Sequence, residues 1–339
     1  MTAPEGRATL KEVAQRAGVH AGTASRALNP ETRRLVHPDT VRRVLAAAAE
    51  LDYRPNPMAR GLKTSRSTMV AVVVPDLSNP LFPPMVRAAE EELSRAGYLT
   101  VIAGTDDEAE RERTAFAALR ARQVDGMLVA SARLEDEALL ELQEQRVPLV
   151  LMNRSSEGVR LPAVTSDDVG GVGLAVAHLR GLGHVRIAHL AGPAQISTGR
   201  ARLHGFLRVL GEAGLAADLV AECESFTVEA GARAMAALLE RERPSAVVAG
   251  NDQIAVGALE TLREHGLRCP EDVSVVGFND MPFVDKLSPP LTTVRVPQRE
   301  VGAEAARLLV RWLAEGSAEA GTRRLPVELV VRGSTGPAA

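Results

Sequence analysis

The chain has 339 residues, 45% of them apolar and 24% charged, with a net charge of -3. That is length for two or three soluble domains. It holds no run of about 18 apolar residues to span a membrane and no early apolar run of a secretion signal, so a cytoplasmic protein is expected. The two cysteines, Cys223 and Cys269, form no CxxC and read as reduced thiols. The charge is divided unevenly: residues 1–66 hold 12 Lys/Arg and 6 Asp/Glu, whereas the remainder holds 28 and 37. A basic head on an acidic body points to a polyanionic partner for the head.

Thr9 precedes "LKEVAQRA" and Glu12 stands three residues later, a capping box that starts a first helix. Leu10, Val13, Ala14 and Ala17 share one face of it, and Gly18 ends it. A second short helix runs from about His20 to Leu28, with Ala24, Ala27 and Leu28 inward and Ala21, Gly22, Ser25 and Arg26 outward. "HPDT" starts a third, whose expected buried stripe is Val41, Val44, Leu45, Ala48 and Leu51. Helix, tight glycine turn, helix and supporting helix make a helix-turn-helix, or else an ordinary three-helix bundle; the basic balance favours DNA. The following "RPNPMARGLKTSRS" reads as a linker that contains a helix start, Asn56 and Pro57.

Beyond residue 67, strands alternate with helices. "MVAVVVP", "LTVIAG", "VDGMLVA" and "PLVLMN" are near-continuous apolar runs, the pattern of a sheet covered on both faces. The alternation restarts at "HVRIAHLAG" and continues through "SAVVAGN" and "DVSVVGF", so two doubly wound α/β halves are expected. Ligands bind such sheets beyond the carboxyl ends of the strands. Candidate residues there are the aromatics Phe82, Phe226 and Phe278 and the polar groups Asp76, Asn79, Asn153, Arg154, Arg202, Asn251, Asn279 and Gln298. Fixed donors and acceptors of this kind suit a ligand rich in hydroxyls. Arg154 and Arg202 with the two amides Asn153 and Asn279 leave a carboxylate or phosphate open as an alternative. "GGVG" at 170–173 lacks the full dinucleotide pattern, and Asp167 and Asp168 read as a helix start.

"TLKEVAQRAGVHAGTASRALN", "YRPNPMARGLKTSRS", "VVVPDLSNPLF", "GHVRIAHLAGP", "GNDQIAVGAL" and "VVGFND...PPLTTV" together resemble the lac/gal repressor family of bacterial transcription regulators, over nearly the whole chain. The resemblance implies a head at 1–54, a hinge at 55–66 and a periplasmic-binding-protein-like effector and dimerisation domain at 67–335. Its first half would be about 67–165 with 297–324, and its second about 166–296 with 325–335. The chain would cross between the halves three times, "TTVRV" returning it to the first and "LPVELVVRG" crossing back as a final strand. The second helix of the head would enter the major groove, with Ala21, Gly22 and Arg26 at base-reading positions. An arginine there can pair with guanine at two atoms. Thr9, Thr23, Ser25 and Asn29 complete the expected DNA contacts on the head. His20 stands where the family usually has a serine cap; imidazole caps less well and can reach a phosphate. Leu62 matches the leucine that wedges into the central base step from the hinge, with a cytosine–guanine step expected there. Arg202, three residues before the glycine of "RLHG", matches a ligand-contacting arginine. Asn153 and Asn279 stand where aspartates often clamp a sugar.

The expected function is a transcription regulator, most simply a repressor, acting as a homodimer on a near-palindromic operator under control of a sugar-like effector. The chain's end at "RGSTGPAA", without a terminal heptad helix, favours a dimer over a tetramer. No cofactor is expected. A solute-binding protein of the same large-domain fold is the alternative. An enzyme is not expected, because no HExxH, GxSxG or Walker pattern occurs and the seven histidines form no ligand-spaced cluster.

Overall fold

The computed structural model describes residues 8–30, 32–54 and 67–338. The chain divides into two compact units, Met1–Ser67 and Thr68–Ala339.

Among its described residues the first unit holds three α-helices, α1 (Leu10–Arg16), α2 (Ala21–Leu28) and α3 (Pro38–Glu50). The capping box forms: the Glu12 amide donates to Thr9 Oγ1, and the Thr9 amide donates to Glu12 Oε2 at 2.7 Å. Gly18 turns the chain at φ 64°, a conformation without penalty for glycine. Val13, Ala14, Ala24, Ala27, Val44, Ala47 and Ala48 form the small core. The expected stripe of α3 is corrected at one place: Leu45 is exposed and Ala47 is buried. Rotation by about 100° per residue centres the buried arc on Val44, Ala47, Ala48 and Leu51, and Leu45 falls beyond its edge.

The second unit contains two six-stranded sheets. The first comprises β1 (Met69–Val74), β2 (Leu99–Gly104), β3 (Gly126–Val129), β4 (Leu149–Met152), β5 (Pro162–Ser166) and β11 (Gly321–Leu325), in the order β11-β5-β4-β3-β1-β2 with every pair parallel. The second comprises β6 (Ile187–Ala191), β7 (Val220–Glu222), β8 (Ala246–Ala249), β9 (Ser274–Asn279), β10 (Thr292–Arg295) and β12 (Glu328–Val330), in the order β12-β10-β9-β8-β6-β7; only β10–β12 is antiparallel.

Helices α4 (Phe82–Arg95), α5 (Ala109–Ala121), α6 (Glu137–Glu144) and α11 (Gln298–Glu315) serve the first sheet. Helices α7 (Asp168–Gly181), α8 (Ser197–Glu212), α9 (Val228–Arg241) and α10 (Asp252–Glu264) serve the second. A Cβ on Gly302 of α11 would collide with the Met85 carbonyl oxygen, which shows how closely α11 and α4 approach.

"LTVIAG" is an edge strand rather than one covered on both faces, with Leu99 and Ile102 exposed. "TTVRV" still belongs to the second sheet, and the return to the first follows at Pro297. "LPVELVVRG" is divided, since Leu325 closes β11 in one sheet and β12 lies in the other.

Candidate functional site

On the head, α2 is short and carries a glycine at its second position, which costs about 1 kcal/mol relative to alanine. Its start is held by an imidazole. His20 Nδ1 accepts the Gly22 amide at 3.1 Å, so the departure from serine retains a cap. With Nδ1 committed as acceptor, the ring's proton sits on Nε2. Ala24 and Ala27 anchor α2 in the core, and Arg26 is exposed on the opposite side; Ala21, Gly22, Thr23, Ser25 and Asn29 are half-buried. Asn56 and Leu62 lie outside the described residues.

In the second unit, the expected polar residues gather at the carboxyl ends of strands. Among the described residues, six buried side-chain polar atoms lack a hydrogen-bond partner. Four of them, on Thr105, Arg154, Ser166 and Asn279, lie at or just past those ends. Unsatisfied buried polar atoms are costly in a closed protein and useful where a ligand is to be bound. Asn279 combines both marks: its Oδ1 is one of the four, and its backbone stands at φ 118°, a region costly for any side chain. Its carbonyl accepts from Gln298 Nε2 at 2.9 Å, tying the start of α11 to the end of β9. Asn153 follows β4 at φ 66° and is buried.

Both candidate arginines are already paired. Arg154 Nη1 and Nη2 meet the two carboxylate oxygens of Asp107 at 2.6 and 3.1 Å, and Nη1 also donates to Ser131 O. Arg202 donates through Nε and Nη2 to Asp168 Oδ1 at 2.8 and 2.7 Å, and through Nη1 to Gly250 O at 2.6 Å. Burial pushes the Asp168 carboxyl up while the guanidinium beside it pulls it back; the short contacts mark a charged pair. Asp167 caps α7 through the Gly170 amide, so the two aspartates at this helix start do different work.

The three aromatic candidates differ. Phe278 is wholly buried, its ring centre 3.8 Å from the Arg202 guanidinium carbon. A Cβ on Gly171 would lie 2.8 Å from that ring, so the glycine makes room for it. Phe278 thus supports Arg202 from beneath. Phe82 is buried in the core of the first half. Phe226 is half-buried and packs on Gly192. Asp76 Oδ1 accepts from the Ser78 amide, Asn79 Oδ1 from the Leu81 amide, and Asn251 caps α10 through the Ile254 amide at 2.8 Å while donating to Phe226 O. These three hold the loops in which they stand.

Sequence reasoning missed Asp107 and His189, and gave Asp168 only a helix start. His189 on β6 is fully buried, stacks on Phe206 and binds Val248 O through Nδ1; burial drives its pKa down to about 4, and Arg202 adds to the shift. Such partners become visible only once α8 is laid across β6. Two loops of the first half also meet the start of α8: Leu134 N donates to Gln195 O, Ser155 N to Ser197 Oγ at 2.9 Å, and Glu157 pairs with Arg200. A groove of about 400 Å³ beside β7 and α9 carries Glu222, Cys223, Arg233 and Arg241. Its arginines bind Glu224 and the Val220 carbonyl, and it holds none of the orphaned atoms. No helix among the described residues is long and apolar enough to cross a membrane.

Residues 9–56 match the model of "Bacterial regulatory proteins, lacI family", and residues 176–335 match that of a periplasmic binding protein-like domain. The HTH-type transcriptional repressor CytR of Escherichia coli K12 is 36% identical over 335 residues, 98% of this chain and 97% of that protein. The ribose operon repressor of Bacillus subtilis 168 is 34% identical over 97% of this chain and 98% of that protein. Among solved structures, a lac repressor dimer bound to operator and an anti-inducer superposes with a TM-score of 0.87 at 30% identity, covering 98% of this chain and all of that one. The CelR regulator in complex with cellobiose superposes at 0.73 and 35% identity, over 97% of this chain and all of that one.

Proposed function

The chain belongs to the lacI family of bacterial regulatory proteins, and from that premise we propose that it is a cytoplasmic repressor whose hold on its operator is set by an uncharged, hydroxyl-rich effector such as a sugar. It is a DNA-binding transcription regulator and not an enzyme. It works as a homodimer, two heads on two half-sites. The exposed apolar edge at Leu99 and Ile102 of β2 supports a second copy on the first half, as does the dimeric lac repressor it resembles. Ala21, Gly22 and Arg26 face base edges; Thr9, His20, Thr23, Ser25 and Asn29 set the register on the backbone; Asn56 and Leu62 act from the hinge.

One observation carries the choice of effector: Arg154 and Arg202 arrive at the strand ends with their charges balanced by Asp107 and Asp168. An anionic ligand would have to displace a carboxylate already in place, whereas a hydroxyl needs only the remaining donors and the orphaned Asn279 and Ser166 oxygens. Asn153, Asn279, Gln298 and Arg202 are the direct contacts in this reading, with Phe226 at the rim. Asp76, Asn79, Phe82, Asn251 and Phe278 shape the site from behind. Effector and operator favour different arrangements of the two halves, so binding one alters the other, typically by about 1–3 kcal/mol. The test is operator retention by the full chain against competitor DNA, with and without candidate sugars. Retention that differs between operator and random duplex and changes with a sugar supports the reading. Equal, salt-sensitive binding to every duplex contradicts it.

A further inference from the structure

The recognition helix α2 ends without the usual device. Asn29 leaves the helix extended at φ -87° and ψ 119°, and no left-handed glycine follows to close the last turn. Two carbonyls of the last turn of α2 are nevertheless held by the loop that follows, and a third by the helix's own cap residue. Ser25 O accepts from the Asn29 amide at 3.2 Å. Arg26 O accepts from Thr32 Oγ1 at 3.1 Å, and Ala27 O from Arg33 Nε at 3.0 Å. The amides of Thr32 and Arg33 both donate to Asn29 O, folding the loop back under the helix end. Arg33 is half-buried and places its positive charge at the negative end of the helix dipole.

We propose that Arg33, with Thr32, is a positioning residue for base readout: it clamps the last turn of α2 so that Arg26 projects in one fixed direction. Helix ends fray, and a helix of two turns is nearly all end. Arg26 stands in that last turn. A two-point pair with a base edge tolerates little angular play, so the backbone under the reading side chain must be held. The clamp rests on the reading of Arg26 as a base contact.

The experiment measures, with the full chain, the affinity for a selected operator and for the same duplex changed at the base pair that Arg26 reads, over a range of salt. Arg26→Ala identifies that base pair by its loss of discrimination. Arg33→Ala is expected to lower discrimination there by at least about fivefold, a part of what the two-point pair itself carries. The salt slope should stay the same, and Arg33→Lys, which keeps a donor, should restore most of the loss. In the Arg26→Ala background Arg33→Ala should change discrimination no further. Thr32→Val, which removes only the hydroxyl, should act in the same direction. A uniform loss on all duplexes with the slope reduced by about 0.9 would make Arg33 a phosphate contact and overturn the proposal. Unchanged discrimination in Arg33→Ala, with Arg26→Ala impaired, overturns it too. If Arg26→Ala itself leaves discrimination intact, the reading of Arg26 fails and the clamp falls with it.

Discussion

Arg202 and Asp168 form a buried ion pair in the second half, Nη2 to Oδ1 at 2.7 Å, with the Phe278 ring against the guanidinium. Replacing Asp168 by asparagine leaves the shape and removes the counter-charge. Breaking one side of a buried pair commonly costs about 3–5 kcal/mol. Asp168→Asn should therefore lower the urea midpoint of the large unit, and an anionic ligand added to the variant should restore part of the loss. A midpoint equal to wild type would show that the pair carries little.

Glu112 of α5 is buried against Ser131, Asp136 and Arg133. Burial, aided by the Asp136 charge, pushes its carboxyl from 4.5 up to about 7. Between those values the folded chain holds a proton that the unfolded chain has released, so stability falls as pH rises through the window. Glu112→Gln should flatten that slope and leave the variant relatively more stable at pH 8 than at pH 5. Thermal unfolding at the two pH values checks it; parallel shifts in both proteins would contradict the assignment.

The His20 cap should be measurable in the head. His20→Ala removes the acceptor for the Gly22 amide and should destabilise the head by about 1 kcal/mol, while His20→Ser should restore it. Hydrogen exchange over residues 18–30 reads this directly. Equal protection in all three proteins would show the cap to be idle.

The capping box at Thr9, the turn at Gly18 and the alternation of the large unit are local signals, and they were legible in the residues alone. Leu45 was misplaced because one apolar residue at the edge of an arc looks the same in sequence as one inside it. The edge position of β2 depends on strand order, which no single segment encodes. The candidate site was legible as a set of residue types at strand ends. Its charge state was not, because Asp107 lies 47 residues from Arg154 and Asp168 lies 34 from Arg202. Those pairings follow from how α8 and the loop after β2 fold over the strands, and they balance the two arginine charges that had left an anionic ligand open as the alternative. The burial of Phe278 against the Arg202 guanidinium was hidden for a related reason: the partner stands on a helix far away in sequence.

The most direct measurement is operator affinity of the full chain across matched pairs of metabolites, each an uncharged sugar and its phosphorylated form. At least one uncharged member is expected to shift the affinity while its phosphorylated partner does not. A shift produced by the phosphorylated members alone would contradict that expectation.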